Sequence, residues 1–127
     1  MAGVNRASAV VCSSDLVRSR DFYENAVGLS LSPETITNHL LFECGDGSTL
    51  LVYGRPSPPT ADHTQVRFWS DDVEADVAEL TARGAVFEEY DFPALKTVGG
   101  VATTPGIGTS AWFKDPDGNT LALFRPE

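Results

Sequence analysis

The chain contains a pattern written twice. Asp46-Gly47-Ser48-Thr49-Leu50-Leu51-Val52-Tyr53 returns 71 positions later as Asp117-Gly118-Asn119-Thr120-Leu121-Ala122-Leu123-Phe124. The opening segments repeat more faintly: VCSSDLVRSRDFYENAVG from Val11 aligns with FWSDDVEADVAELTARG from Phe68, at an offset of 57 that shrinks to 56 by the closing glycines. Such a repeat means one supersecondary unit used twice, with two half-sites facing each other across a pseudo-twofold axis. Each copy reads as strand, helix, then further strands. At 127 residues the chain holds one domain with one core, not two independent ones.

Local signals place the elements. Val10 to Cys12 reads as a short strand leading into Ser13-Ser14-Asp15, whose side chains suit the start of a helix. Leu16, Ser19, Phe22, Tyr23 and Ala26 recur at helical spacing, and Gly28 is suited to end the helix in a left-handed conformation. Strands are expected around Leu31, over 39–44 and over 49–54, with Gly45-Asp46-Gly47 as a hairpin turn. Residues 55–62, with three prolines, read as a linker between module one (about 8–55) and module two (about 63–126). In module two a strand is expected over 65–69 and a helix from Asp71 and Asp72, with Val73, Val77 and Leu80 at its apolar spacing. Residues 85–90, 110–113 and 120–124 read as strands. The segment between Tyr90 and Thr109 reads as one long irregular loop, either a lid over a pocket or an excursion facing solvent or a partner.

The order of elements, with the words Ser14-Asp15-Leu16, Phe22-Tyr23, Gly28-Leu29 and Trp112-Phe113-Lys114-Asp115-Pro116-Asp117-Gly118-Asn119, resembles the vicinal oxygen chelate superfamily, the glyoxalase, bleomycin-resistance and dioxygenase group. The resemblance covers residues 8–125. It implies an α+β fold in which two βαβββ modules form a cupped mixed β-sheet around a pocket. It also implies a metal ligand (His, Glu or Gln) in the first and last strand of each module. The matching positions here are Ser8, Gln65, Leu51 and Ala122. A catalytic divalent ion wants three or four protein ligands with imidazole or carboxylate among them, and one amide does not supply them. No metal and no other cofactor is therefore expected.

Alternation along the strands sends Ser8, Val10, Cys12, Gln65, Arg67 and Trp69 to the cupped face, with Leu51, Tyr53, Ala122 and Phe124. Cys12, Tyr53, Gln65, Arg67, Trp69 and Phe124 are the candidate ligand-binding residues, an aromatic lining with one cation. Arg67 suits a carboxylate or an aromatic ring, with a buried ion pair as the alternative. Cys12 lacks a placed base and is not expected to act as a nucleophile. His39, His63 and Lys96 read as surface or interface residues, Cys44 as inert and Trp112 as structural.

Nine basic residues against eighteen acidic ones give a net charge of −9, which argues against nucleic acid or an anionic membrane as partner. The first seven residues lack the apolar run of a secretory signal, and two cysteines make no disulfide framework, so a cytoplasmic protein with free thiols is expected. The resemblance leaves two readings. The first is a metal-independent module that sequesters a small aromatic or drug-like ligand as a homodimer, like the bleomycin-resistance branch. The second is a glyoxalase-like lyase or isomerase, or another enzyme of the superfamily.

Overall fold

A computed structural model describes residues 3, 4 and 6–127. Module one contains β1 (Ala9–Ser13), α1 (Leu16–Asp21), β2 (Ser30–Leu31), β3 (His39–Gly45) and β4 (Ser48–Gly54). Module two contains β5 (Thr64–Trp69), α2 (Val73–Ala82), the small hairpin β6 (Asp91–Phe92) and β7 (Leu95–Lys96), then β8 (Val101–Thr104), β9 (Gly108–Lys114) and β10 (Thr120–Pro126). The two copies build equivalent four-stranded mixed sheets, ordered β1-β4-β3-β2 and β5-β10-β9-β8. In each, the first strand lies parallel to the last and the remaining pairs are antiparallel. This is the expected α+β architecture, and the cup is formed by two sheets that approach each other along β1 and β5.

The alternation of apolar residues decides which face is buried. Val11, Phe42, Leu50 and Val52 from the first sheet and Val66, Phe113, Leu121 and Leu123 from the second join Tyr23, Val73 and Leu80 from the helices in one core cluster. Asp15 and Asp72 cap the two helices at matching places, their carboxylates accepting from the amides of Arg18 and Ala75. After Asp21 the first helix widens to π geometry over Phe22–Val27, and the amides of Gly28 and Leu29 both donate to the Tyr23 carbonyl. Gly28 ends it in the left-handed region at φ 89°.

Two expectations are corrected. Residues 85–90 form no strand; Phe87 alone bridges to Phe113. The third strand of module two comes instead from the segment read as irregular, as β8 pairs with β9 from Val101↔Ala111 to Thr104↔Gly108. The chain between leaves the sheet as the β6–β7 hairpin, its base tied by the Thr97 hydroxyl, which donates to Glu89 and accepts from the Tyr90 amide. Residues 98–109 are thus partly sheet and do not form a lid.

The pseudo-twofold places two seams between the modules, and only one is locked. There the turn after β9 meets the start of α1. Asp115 accepts from the Tyr23 hydroxyl at 2.6 Å, from the Asp117 and Asn119 amides, and from the Asn119 side chain at 2.7 Å. Asn119 also donates to the Cys12 carbonyl at 2.9 Å. Burial and the Asp115 charge push the Tyr23 phenol well above its usual range, so it remains a donor. Asp117 accepts from the amide and hydroxyl of Ser14 and pairs with Arg18. Burial opposes its charge, but the Ser14 bonds and Arg18 hold its carboxyl below the usual range. Its contribution to stability is therefore present at neutral pH and is lost in acid, as pH falls through that lowered pKa. By the repeat offsets, Cys44 stands where the other seam has Asp115, and Leu80 where it has Tyr23. Among the described residues that seam has no such lock. It contains two adjoining cavities of about 500 and 210 Å³ that share Cys44, Phe68 and Trp69.

One glycine closes the second sheet. Gly108 has φ 148°, and a Cβ there would lie 2.1 Å from the Arg125 carbonyl oxygen. At Gly54 the obstacle is the end of the Asn38 side chain, which can rotate away. Gly108→Ala is expected to cost about 2–4 kcal/mol by denaturant unfolding, and Gly54→Ala clearly less.

Candidate functional site

Register puts each predicted residue on the sheets. On β5, Arg67 pairs with Ala122 of β10 and Trp69 with Phe124, and β9 continues these rows with Trp112 beside Ala122 and Ser110 beside Phe124. Alternation places all of these side chains on the face opposite the core. On the first sheet Cys12 pairs with Tyr53, and Tyr53 with His39.

The structure brings three of the six candidates together. The Trp69 and Phe124 rings meet edge to face at 5.4 Å. The Arg67 guanidinium lies 4.0 Å from the Phe124 ring centre and 5.1 Å from that of Trp69. Both distances are within cation–π range, and among the described residues the Arg67 N–H groups have no protein acceptor. Arg67 is not in a buried ion pair: among the described residues the ion pairs join Arg18, Arg20, Arg83 and Arg125 to acids, and Arg67 to none. Phe124 is buried beneath this arrangement, while Trp69 is 68 % exposed.

The remaining three candidates stand apart from that trio. Gln65 turns its side-chain oxygen to the Thr120 amide at 3.0 Å, a sheet-mending bond. Cys12 is buried and free, and Tyr53 is half-buried on the other sheet. The four positions implied as metal ligands do not form a donor set: Ser8 bonds the Thr49 hydroxyl, the Gln65 oxygen is engaged, and Leu51 and Ala122 have no donor. The residues present do not fit a catalytic divalent ion. Among the described residues no three His, Cys, Asp or Glu side chains converge.

Three aromatic residues extend the face beyond the predicted set. Trp112, across Ala122 from Arg67, meets Tyr90 edge to face at 5.5 Å, and Tyr90 stacks with Phe92 at 6.0 Å. Burial, then the Glu88 charge, raise the Tyr90 phenol, which stays protonated near neutrality. Trp112 is legible in hindsight, because it is two residues from Ser110 and Lys114 on one strand face. Tyr90 and Phe92 depend on the hairpin leaving the sheet, for which no local pattern gives a signal.

Module two therefore presents an open aromatic face, a cradle of two clusters: Trp69 and Phe124 with Arg67 against them, and Trp112 with Tyr90 and Phe92. Arg67 and Trp69 also form one wall of the larger seam cavity, opposite Ala7, Ala9 and the hairpin around Asp46 and Thr49. Its volume of about 500 Å³ lies within the usual range for small-molecule sites. A ligand stacked on Trp69 can extend into it. No helix among the described residues is long and apolar enough to cross a membrane.

Comparison with known proteins gives three kinds of finding. The family model of the glyoxalase/bleomycin resistance protein/dioxygenase superfamily matches residues 5–123. No curated protein sequence matches the chain. Among solved structures, the antibiotic-binding protein TnmS3 from Streptomyces sp. CB03234 is 26 % identical with a TM-score of 0.69, over 100 % of this chain and 99 % of that one. A bleomycin-binding protein complexed with bleomycin superimposes with a TM-score of 0.72 at 22 % identity, over 98 % of this chain and 100 % of that one. Lactoylglutathione lyase from Agrobacterium tumefaciens superimposes at 0.70 and 19 %, over 98 % and 95 %. The last two likenesses are of fold.

Proposed function

Starting from the fact that this chain belongs to the glyoxalase/bleomycin resistance protein/dioxygenase superfamily, we propose that it is a metal-independent binding protein that sequesters a small, flat aromatic ligand on the cupped face of module two. The observation that carries this reading is the aromatic cradle. Carboxylates and imidazoles are missing from the inward positions of β5, β9 and β10, which are Gln65, Arg67, Trp69, Ser110, Trp112, Lys114, Thr120, Ala122 and Phe124. Sequestration needs only affinity and stacking surface. A glyoxalase-like proton transfer needs a carboxylate or imidazole within reach of the ligand. The likeness to an antibiotic-binding protein at 26 % identity points the same way.

A homodimer belongs to this reading. Val10, Trp69 and Phe92 are 49 %, 68 % and 59 % exposed in a single chain, more apolar surface on the site side than a monomer gains by showing. A second copy laid over the cup excludes water from the ligand. Native mass spectrometry of protein purified from cells, without added metal or chelator, tests both parts. A dimer carrying an organic adduct, and no ion, supports the reading. One stoichiometric divalent ion per chain contradicts it.

A further inference from the structure

Building on that binding reading, we propose that the module-two face selects aromatic ligands bearing a carboxylate, and that Arg67 is the residue that selects the charge. Four of the nine basic residues pair with acids among the described residues, and Arg67 is among those that do not. Arg18 pairs with Asp117, Arg20 with Glu24, Arg83 with Glu79 and Arg125 with Glu74. The Arg67 side chain has neither an ion pair nor a hydrogen bond among the described residues, and lies instead against the Phe124 and Trp69 rings. The two ring contacts hold the guanidinium in place while its N–H groups have no protein acceptor among the described residues, which leaves them to a carboxylate in charge-assisted bonds.

The surroundings make that selection local. The inward positions of β5, β9 and β10 include no acidic residue; Asp46 lines the larger seam cavity from the other module, opposite Arg67. Lys114, on the same face, donates to the Thr120 hydroxyl at 2.6 Å and shares a cavity with Glu88, so its charge is partly balanced. Arg67 is therefore the cation available to a ligand stacked on Trp69. A cationic ligand there meets a like charge, and a neutral one leaves the fork to water.

Three probes of one shape test this: 2-naphthoate, 2-naphthalenemethanol and 2-naphthylmethylammonium, titrated against intrinsic tryptophan fluorescence. Both tryptophans of the chain, Trp69 and Trp112, lie on this face. Naphthoate is expected to bind about tenfold tighter than the alcohol, as a charge-assisted bond supplies, and the amine weakest, with the preference shrinking as salt rises. Arg67→Met keeps an apolar stem over Phe124 and should bring naphthoate down to the affinity of the alcohol. Naphthoate and alcohol binding equally well to the unaltered protein overturns the charge selection and leaves the binding reading standing. If none of the three binds, both fail.

Discussion

Replacing Asp115 by alanine is expected to destabilise the protein by about 3–5 kcal/mol, the range for removing one member of a buried charged network. For a chain of 127 residues this corresponds to a fall in Tm of about 10 °C or more. The size follows from the number of donors left without an acceptor. Asp115 takes hydrogen bonds from the Tyr23 hydroxyl, two backbone amides and the Asn119 amide. Tyr23 and Asn119 are fully buried, so water does not replace what the carboxylate provides. Tyr23→Phe removes one of the four bonds and should cost about 1–3 kcal/mol. Because the lock joins α1 of module one to the last turn of module two, both substitutions should loosen the modules together. Hydrogen exchange should then quicken in β1 and in β10. A loss under 1 kcal/mol for Asp115→Ala would show that this seam does not hold the modules together.

The second large effect concerns binding. Trp69→Ala is expected to weaken a flat aromatic ligand by about 30-fold or more, the 2 kcal/mol typical of a stacked hot-spot residue. Trp69 is two-thirds exposed and sits on an outer strand of its sheet, so its removal should barely change Tm. It also frees the Arg67 guanidinium from one of its two aromatic faces. Isothermal titration of the variant, compared with its Tm, separates loss of site from loss of fold. Unchanged affinity would move the binding surface elsewhere, with the sheet that carries Cys12 and Tyr53 as the next place to look.

Much of the fold was legible because it is written twice. The repeated Asp-Gly turns and capping aspartates placed both helices, β3 to β5 and the closing strands. Period-two alternation correctly sent Val11 and Val66 to the core and Arg67, Trp69 and Phe124 to the other face. The errors lie where pairing partners are distant. Residues 101–104, bounded by glycines and a proline, look like loop, and become β8 only because β9 offers an edge. Residues 85–90 hold Val86, Phe87 and Tyr90 like a strand, but only the Phe87 bridge and the Glu88 amide reach β9 before the chain leaves it. The asymmetry between the seams needed the fold: Cys44 and Leu80 are unremarkable alone, and gain meaning only as the counterparts of Asp115 and Tyr23. The widening of α1 over Phe22–Val27 also had no signal, because apolar spacing does not distinguish α from π turns.

The central claim, that the cupped face of module two is a binding surface for flat aromatic molecules, is tested most directly by the indole N–H resonances of Trp69 and Trp112 in a ¹⁵N correlation spectrum. Two tryptophans give two such peaks, one at the Arg67 edge of the cradle and one across Ala122 from it. On addition of 2-naphthoate both should shift, with the larger change at Trp69, and saturate along a single binding curve. Neither peak moving while amides elsewhere in the spectrum respond would place the ligand on another surface and contradict the account.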